Sequence, residues 1–154
     1  MTTNKQALRW SLIMLAILFP LLYAGYIHYQ RSNFSCEVHT TIVDDKYVVD
    51  AIMDYTFHGD SGTLETSGEY IPLNAPPVAV SNKVLFNAWR ENGEVVLISN
   101  ETNELPKKDE AYRLTIPDFY HARDRGLRFK LTSANASSYF FIYANFPIFY
   151  CTKG

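Results

Sequence analysis

The twelve residues Tyr47-Val-Val-Asp-Ala-Ile-Met-Asp-Tyr-Thr-Phe-His58 alternate. Tyr47, Val49, Ala51, Met53, Tyr55 and Phe57 fall on one side of an extended chain. Asp50, Asp54, Thr56 and His58 fall on the other. Successive side chains of a strand point to opposite faces, so this pattern describes a β-strand with one wet side. The same β-rich composition continues outward in both directions. Cys36 to Val43 reads as the preceding strand, ended by Asp44-Asp45-Lys46. Gly59-Asp-Ser-Gly62 reads as a hairpin turn into a third strand, Thr63 to Ile71. Pro72, Pro76 and Pro77 then break the pairing and force a crossing loop.

Val78 to Arg90 reads as a fourth strand and Glu94 to Asn100 as a fifth. Asn92-Gly93 between them supplies the positive φ of a tight turn. Residues 101–111 are polar and read as an exposed loop. Pro117 to Arg123 reads as one short helical turn. Gly126 to Thr132 is a sixth strand, and Ser133 to Ser137 a turn. Ser138 to Cys151 reads as one final strand, apolar on both faces and therefore covered on both. The expected fold is mainly β: an antiparallel sheet curled into a half-open barrel or small sandwich, with at most one short helix.

From Trp10 to Gln30 no residue carries a fixed charge. As a helix rising about 1.5 Å per residue, this stretch spans roughly 30 Å, the thickness of a bilayer core. Lys5 and Arg9 precede it, and basic residues flanking a first span tend to stay in the cytoplasm. Tyr23, Tyr26 and Tyr29 cluster at its far end, as interfacial aromatics do. The competing reading is a cleaved signal peptide, with Leu22-Tyr-Ala24 as the cleavage site. The large Leu22 and the apolar sequence beyond Ala24 favour the anchor. The expected organisation is a cytoplasmic tail (1–9), a transmembrane helix (10–30) and a periplasmic β domain (31–154) on a bacterial inner membrane.

Setting Lys5 and Arg9 aside from the 14 basic residues leaves 12 against 16 acidic ones, so the exported part has no basic footprint for nucleic acid. Two cysteines, Cys36 and Cys151, stand near the two ends of this domain. An even count in an exported chain reads as one disulfide tying the first strand to the last. No Cys-x-x-Cys supports a redox role.

No residue set nominates a reaction, so neither catalysis nor a cofactor is expected. Gly59-Asp60-Ser61-Gly62 matches four residues of a trypsin-like nucleophile motif, but no His and Asp constellation accompanies it. His28, His39, His58 and His121 lack metal-ligand spacing. Asp44, Asp45, Asp50 and Asp54 lack the spacing of a calcium loop. Arg128 and Lys130, with His121, Arg123 and Arg125, are either a wet strand face or a rim attracting an anionic ligand. Phe86, Trp89, Tyr139, Phe141, Tyr143, Phe146 and Phe149 are candidates to line an apolar pocket, though such residues are more often core. Phe140 and Ile142 on the last strand are candidates for a partner surface.

Phe34-Ser-Cys36-Glu, Asp54-Tyr-Thr-Phe57 before its Gly-rich turn, Leu114-Thr-Ile-Pro-Asp-Phe-Tyr120 and Pro147-Ile-Phe-Tyr-Cys151 together resemble the FidL-like family of enterobacterial membrane proteins. That family is similar in architecture to the ToxS, VtrC and PsaF partners of ToxR-like regulators. The resemblance implies a sensor subunit that pairs by β-sheet completion with a winged-helix membrane regulator. An amphipathic small molecule of bile-salt or fatty-acid type at the shared interface is the implied ligand. The alternative is a stand-alone structural or lipid-binding envelope domain.

Overall fold

In a computed structural model, Tyr47–His58 is a strand whose burial alternates residue by residue, as its sequence requires. The structure describes residues 3–105 and 117–154. The chain divides into two units, Met1–Asn33 and Phe34–Gly154. The first is a continuous helix, α1 (Thr3–Ser32), unbroken at Pro20. With a mean hydropathy of 1.9 over its apolar window, it is long and apolar enough to cross a membrane.

The second unit is an eight-stranded antiparallel closed barrel in simple chain order. Its strands are β1 (Asn33–Val43), β2 (Tyr47–His58), β3 (Ser61–Pro72), β4 (Val78–Glu91), β5 (Glu94–Leu105), β6 (Gly126–Asn135), β7 (Ser138–Tyr143) and β8 (Phe146–Lys153). A 3₁₀ turn at Asp118–Tyr120 precedes β6. The sheet is therefore fully closed, which removes the free edges of an open sheet.

Two strand expectations are corrected. The expected single strand from Ser138 to Cys151 is a hairpin. Ala144 (φ 48°) and Asn145 (φ 69°) form its two-residue turn, with positive φ at both positions as a type I′ turn requires. β5 runs on to Leu105, so residues 101–105 are strand rather than loop; 106–111 lie outside the described residues.

Large side chains fill the lower and middle barrel. Tyr55, Phe86, Phe119, Phe129 and Phe141 are all fully buried. With Phe34 and Phe57 the aromatic rings meet in two runs, Phe34–Phe57 at 4.7 Å, Phe57–Phe86 at 5.4 Å and Phe86–Phe119 at 6.1 Å, and Phe129–Phe141 at 4.5 Å, joined by Tyr55 at 6.4 Å from Phe57 and 5.1 Å from Phe141. Such pairs add roughly 0.5–1.5 kcal/mol each beyond the area they bury. Eight strands enclose an interior just wide enough for side chains of this size. A smaller cluster of Tyr47, Val49 and Ala51, with Tyr70 against it, lies at the end where β1 terminates.

Two glycines make this packing possible. A Cβ on Gly62 would lie under 3.0 Å from the Phe86 ring, its register partner, and from Thr56 O. A Cβ on Gly68 would lie under 3.0 Å from Asp50 O and Ala51 Cα.

The barrel is thin at two places. β5 and β6 share register pairs only from Val95–Phe129 to Ile98–Gly126. β1 and β8 pair at Cys36–Lys153 and Glu37–Thr152. The Cys36–Cys151 disulfide, with Cα atoms 5.5 Å apart, crosses this second seam.

Candidate functional site

Outward residues of a sheet that faces water are normally polar. The β7–β8 hairpin breaks this rule. Phe140 (38% exposed) packs on the outside against Tyr150 (48%), the rings tilted by 60° with centroids 5.3 Å apart. Ile148, Tyr143 and Phe146 are exposed beside them. Across the seam, Ile42 and Val43 at the end of β1 are exposed as well. The same barrel end carries exposed Leu73 on the β3–β4 connection and exposed Val78 at the start of β4. The turns of the opposite end, Gly59-Asp60, Asn92-Gly93 and Ala136-Ser137, carry no large apolar side chain. Exposed apolar surface concentrated on one side marks an interaction surface more often than scattered residues do.

The register pairs of the β1–β8 seam lie low in the barrel. Gly154 N–H donates to Ser35 O at 3.4 Å and Lys153 N–H to Ser137 O at 2.8 Å. Even-numbered residues of β8 thus face β1, and the same alternation aims the backbone of Tyr150 at the seam. Above Glu37 and Thr152, no further register pair joins β1 to β8 among the described residues.

Inside the barrel lies a polar layer. The Tyr55 and Tyr120 hydroxyls are 3.1 Å apart. Asn82 Nδ2 donates to Tyr120 O. The segment around Tyr120 is pinned by its carbonyls: Thr102 Oγ1 donates to His121 O, and Ser99 Oγ to Ala122 O at 2.7 Å. Ser99 also accepts from Arg125 N–H at 3.0 Å. These bonds stand in for the ladder that β5 and β6 do not make, while Phe119 anchors the segment in the core.

Burial is the first cause raising the Tyr55 hydroxyl well above its ordinary 10.0, followed by the charge and hydrogen bond of Tyr120. Burial also raises Tyr120, against a smaller opposite pull from its bond to Tyr55. The folded barrel therefore keeps two protons that the unfolded chain releases near pH 10. The stabilisation is complete below about pH 10 and is lost as pH rises through the raised values. In an alkaline absorbance titration, two of the 11 tyrosines should ionise only as near-ultraviolet circular dichroism collapses. Full ionisation of every tyrosine in a folded barrel would contradict this.

The residues singled out by sequence do not form one site. Phe86 and Phe141 are core. Tyr139 is half-buried, with Lys153 Nζ 4.9 Å from its ring centroid. Trp89 is exposed on the outer face. Arg128 is no free anion rim: its guanidinium reaches Glu91 at 2.6 Å and Glu94 at 3.4 Å. Arg125 lies 3.9 Å from Asp118. Lys130 is exposed, opposite half-buried Ile142. Of the residues singled out, Phe140, Tyr143 and Phe146 belong to the exposed apolar strip, while Phe149 packs half-buried against the core. No group of acidic, His and Cys residues able to hold a metal occurs among the described residues. Sequence reasoning missed Ile148 and Tyr150, hidden by reading β7 and β8 as one strand. It also missed Asn82, although the alternation Val80, Asn82, Val84, Phe86 places it on the inward face.

Residues 33–151 match the family model described as the YqeJ C-terminal domain. No curated protein and no solved structure gives a significant match.

Proposed function

The chain belongs to the YqeJ C-terminal domain family, and we propose that its barrel is the binding module of a membrane-anchored accessory subunit. It works outside the cytoplasm and associates with a ToxR-like winged-helix membrane regulator. The observation that carries this reading is the exposed strip Phe140, Tyr143, Phe146, Ile148 and Tyr150 beside the unladdered part of the seam. The spanning-length helix and the disulfide support export of the barrel, with the N-terminus inside. The resemblance to the FidL-like family supports the class of partner. An amphipathic small molecule is then met at the shared surface.

The mode of pairing differs from the sheet completion implied by that resemblance. One chain already closes the barrel, so the partner covers the apolar strip and adds an extended segment, at most, to the upper seam. Closure by a single chain also favours a second reading, a stand-alone envelope or lipid-binding domain.

A photo-crosslinking residue at Tyr150 in the native membrane separates the two. The expected adduct is a single-span winged-helix regulator, and Phe146→Asp should reduce its yield at least about tenfold without altering the melting temperature. Adducts only to lipid or to the chain itself would overturn the accessory-subunit reading.

A further inference from the structure

On the outer face of β2 and β3, two carboxylates stand directly opposite each other at two levels. Asp54 pairs in register with Glu65, and Asp50 with Glu69. Like charges directly opposite on adjacent strands are destabilising. The lower pair is answered from within the chain: β4 places Lys83 beside Glu65, with its Nζ 2.6 Å from Glu65 Oε1. At the upper pair the matching position of β4, beside Glu69, holds exposed Ala79, which carries no charge. Asp50 Oδ1 accepts from Thr41 Oγ1 at 3.1 Å and lies 3.6 Å from His39 Nε2. Among the described residues, no Lys or Arg reaches Asp50 or Glu69 within ion-pair distance.

This upper pair borders a groove of about 240 Å³ on β1, β2 and β3. Half-buried Ile52 and Ile71 line it together with Asp50, Glu69 and His39. Apolar walls beside carboxylates match a side chain that buries an aliphatic stem and keeps a cationic head in water. The groove also adjoins the apolar strip. Only β1 separates β2 from β8 around the barrel, and strands lie about 4.8 Å apart, so the two surfaces are on the order of 10 Å from one another.

We propose that the groove receives a long cationic side chain, arginine before lysine, from the segment that covers the apolar strip. The owner of that segment rests on the accessory-subunit reading; the charge argument does not. The stem lies along Ile52 and Ile71. The head takes, between Asp50 and Glu69, the role that Lys83 takes for Glu65. A planar guanidinium offers donors to two carboxylates at once, which a single ammonium does less well. The docking segment therefore carries a basic residue next to apolar ones. An acidic segment would meet repulsion from this face, where Glu37, Asp50, Asp54 and Glu69 are all exposed.

The test uses the full chain in zwitterionic lipid nanodiscs with ¹³C-methyl-labelled isoleucine. The probe is the blocked tripeptide phenylalanine–arginine–phenylalanine, and the control carries citrulline, an uncharged analogue, in place of arginine. The arginine peptide should shift the Ile52 and Ile71 methyls saturably. It should bind at least about fivefold more tightly than the control, the scale of two exposed charge pairs. Glu69→Gln should remove most of that preference. Asp54→Asn, which removes the same charge outside the groove, should keep it. Ala79→Lys repeats the arrangement of the lower pair, so it should abolish the preference without lowering the melting temperature. Three results would each overturn the inference: no saturable shift at Ile52 and Ile71, equal binding of the citrulline peptide, or a preference that survives both Glu69→Gln and Ala79→Lys. A regulator adduct at Tyr150 without an arginine preference would leave the accessory-subunit reading standing and remove the groove. An arginine preference without that adduct would do the reverse.

Discussion

Cys36→Ser should cost the barrel about 4–5 kcal/mol of stability, and Cys151→Ser the same. The disulfide joins residues 115 apart, and the chain-entropy model assigns about 4.7 kcal/mol to a loop of roughly that size. Engineered bridges often deliver less, because they distort the fold that receives them. Here the two cysteines are buried members of the core cluster, on strands that already neighbour one another. A domain of this size has about 5–15 kcal/mol in total, so the variant is left near the threshold of folding. The loss should be local as well as global, because the bridge crosses a seam with two register pairs. Amide exchange in β1 and β8 of the reduced protein should quicken before exchange in β3 and β4. The check is a urea melt of oxidised and variant chains. Equal midpoints would contradict the account.

Gly68→Ala is the second large effect, expected to remove at least about 2–3 kcal/mol, the upper part of the usual range for overpacking. The added methyl would lie under 3.0 Å from Asp50 O and Ala51 Cα. Both are backbone atoms of the partner strand, so no side chain can rotate away. At Gly62 one neighbour is backbone and the other is the Phe86 ring. Gly62→Ala should therefore be partly relieved by Phe86→Leu, as a shared contact implies. Gly68→Ala should show no such coupling to Phe86. Thermal melts of the single and double variants decide the matter. A Gly68→Ala barrel as stable as the parent would show that β2 and β3 are not so closely apposed.

What sequence could reveal followed the strength of each local signal. The alternation in Tyr47–His58 and the Asn92-Gly93 turn specify strands and a hairpin within a few residues, and both appear. The placement of the cysteines announced the bridge from first strand to last, but not the full closure of a barrel that was expected to be half-open. The β7–β8 turn was invisible because Ala144-Asn145 carries no glycine to mark its positive φ. Residues 101–105 read as loop because they are polar, although Ser81 to Leu85 on β4 give them ladder partners. Arg128 looked like a free cation because Glu91 and Glu94 are far from it in sequence and become neighbours only through the β5–β6 pairing. Three-dimensional closure, rather than residue type, decided which aromatics fill the interior and which stay outside.

The strict neighbour-to-neighbour order of the strands has a temporal side. Strands β2 to β8 can register hairpin by hairpin as the chain lengthens, since each contact is local and incurs little loop-closure entropy. The seam is the exception, for it needs the first strand and the last together. Until β8 docks, Cys36 has no bridging partner and remains a free thiol on an unfinished edge. The formed cystine is therefore a completion mark. A thiol-reading quality-control system could tell a finished barrel from an arrested one without inspecting any other part of it.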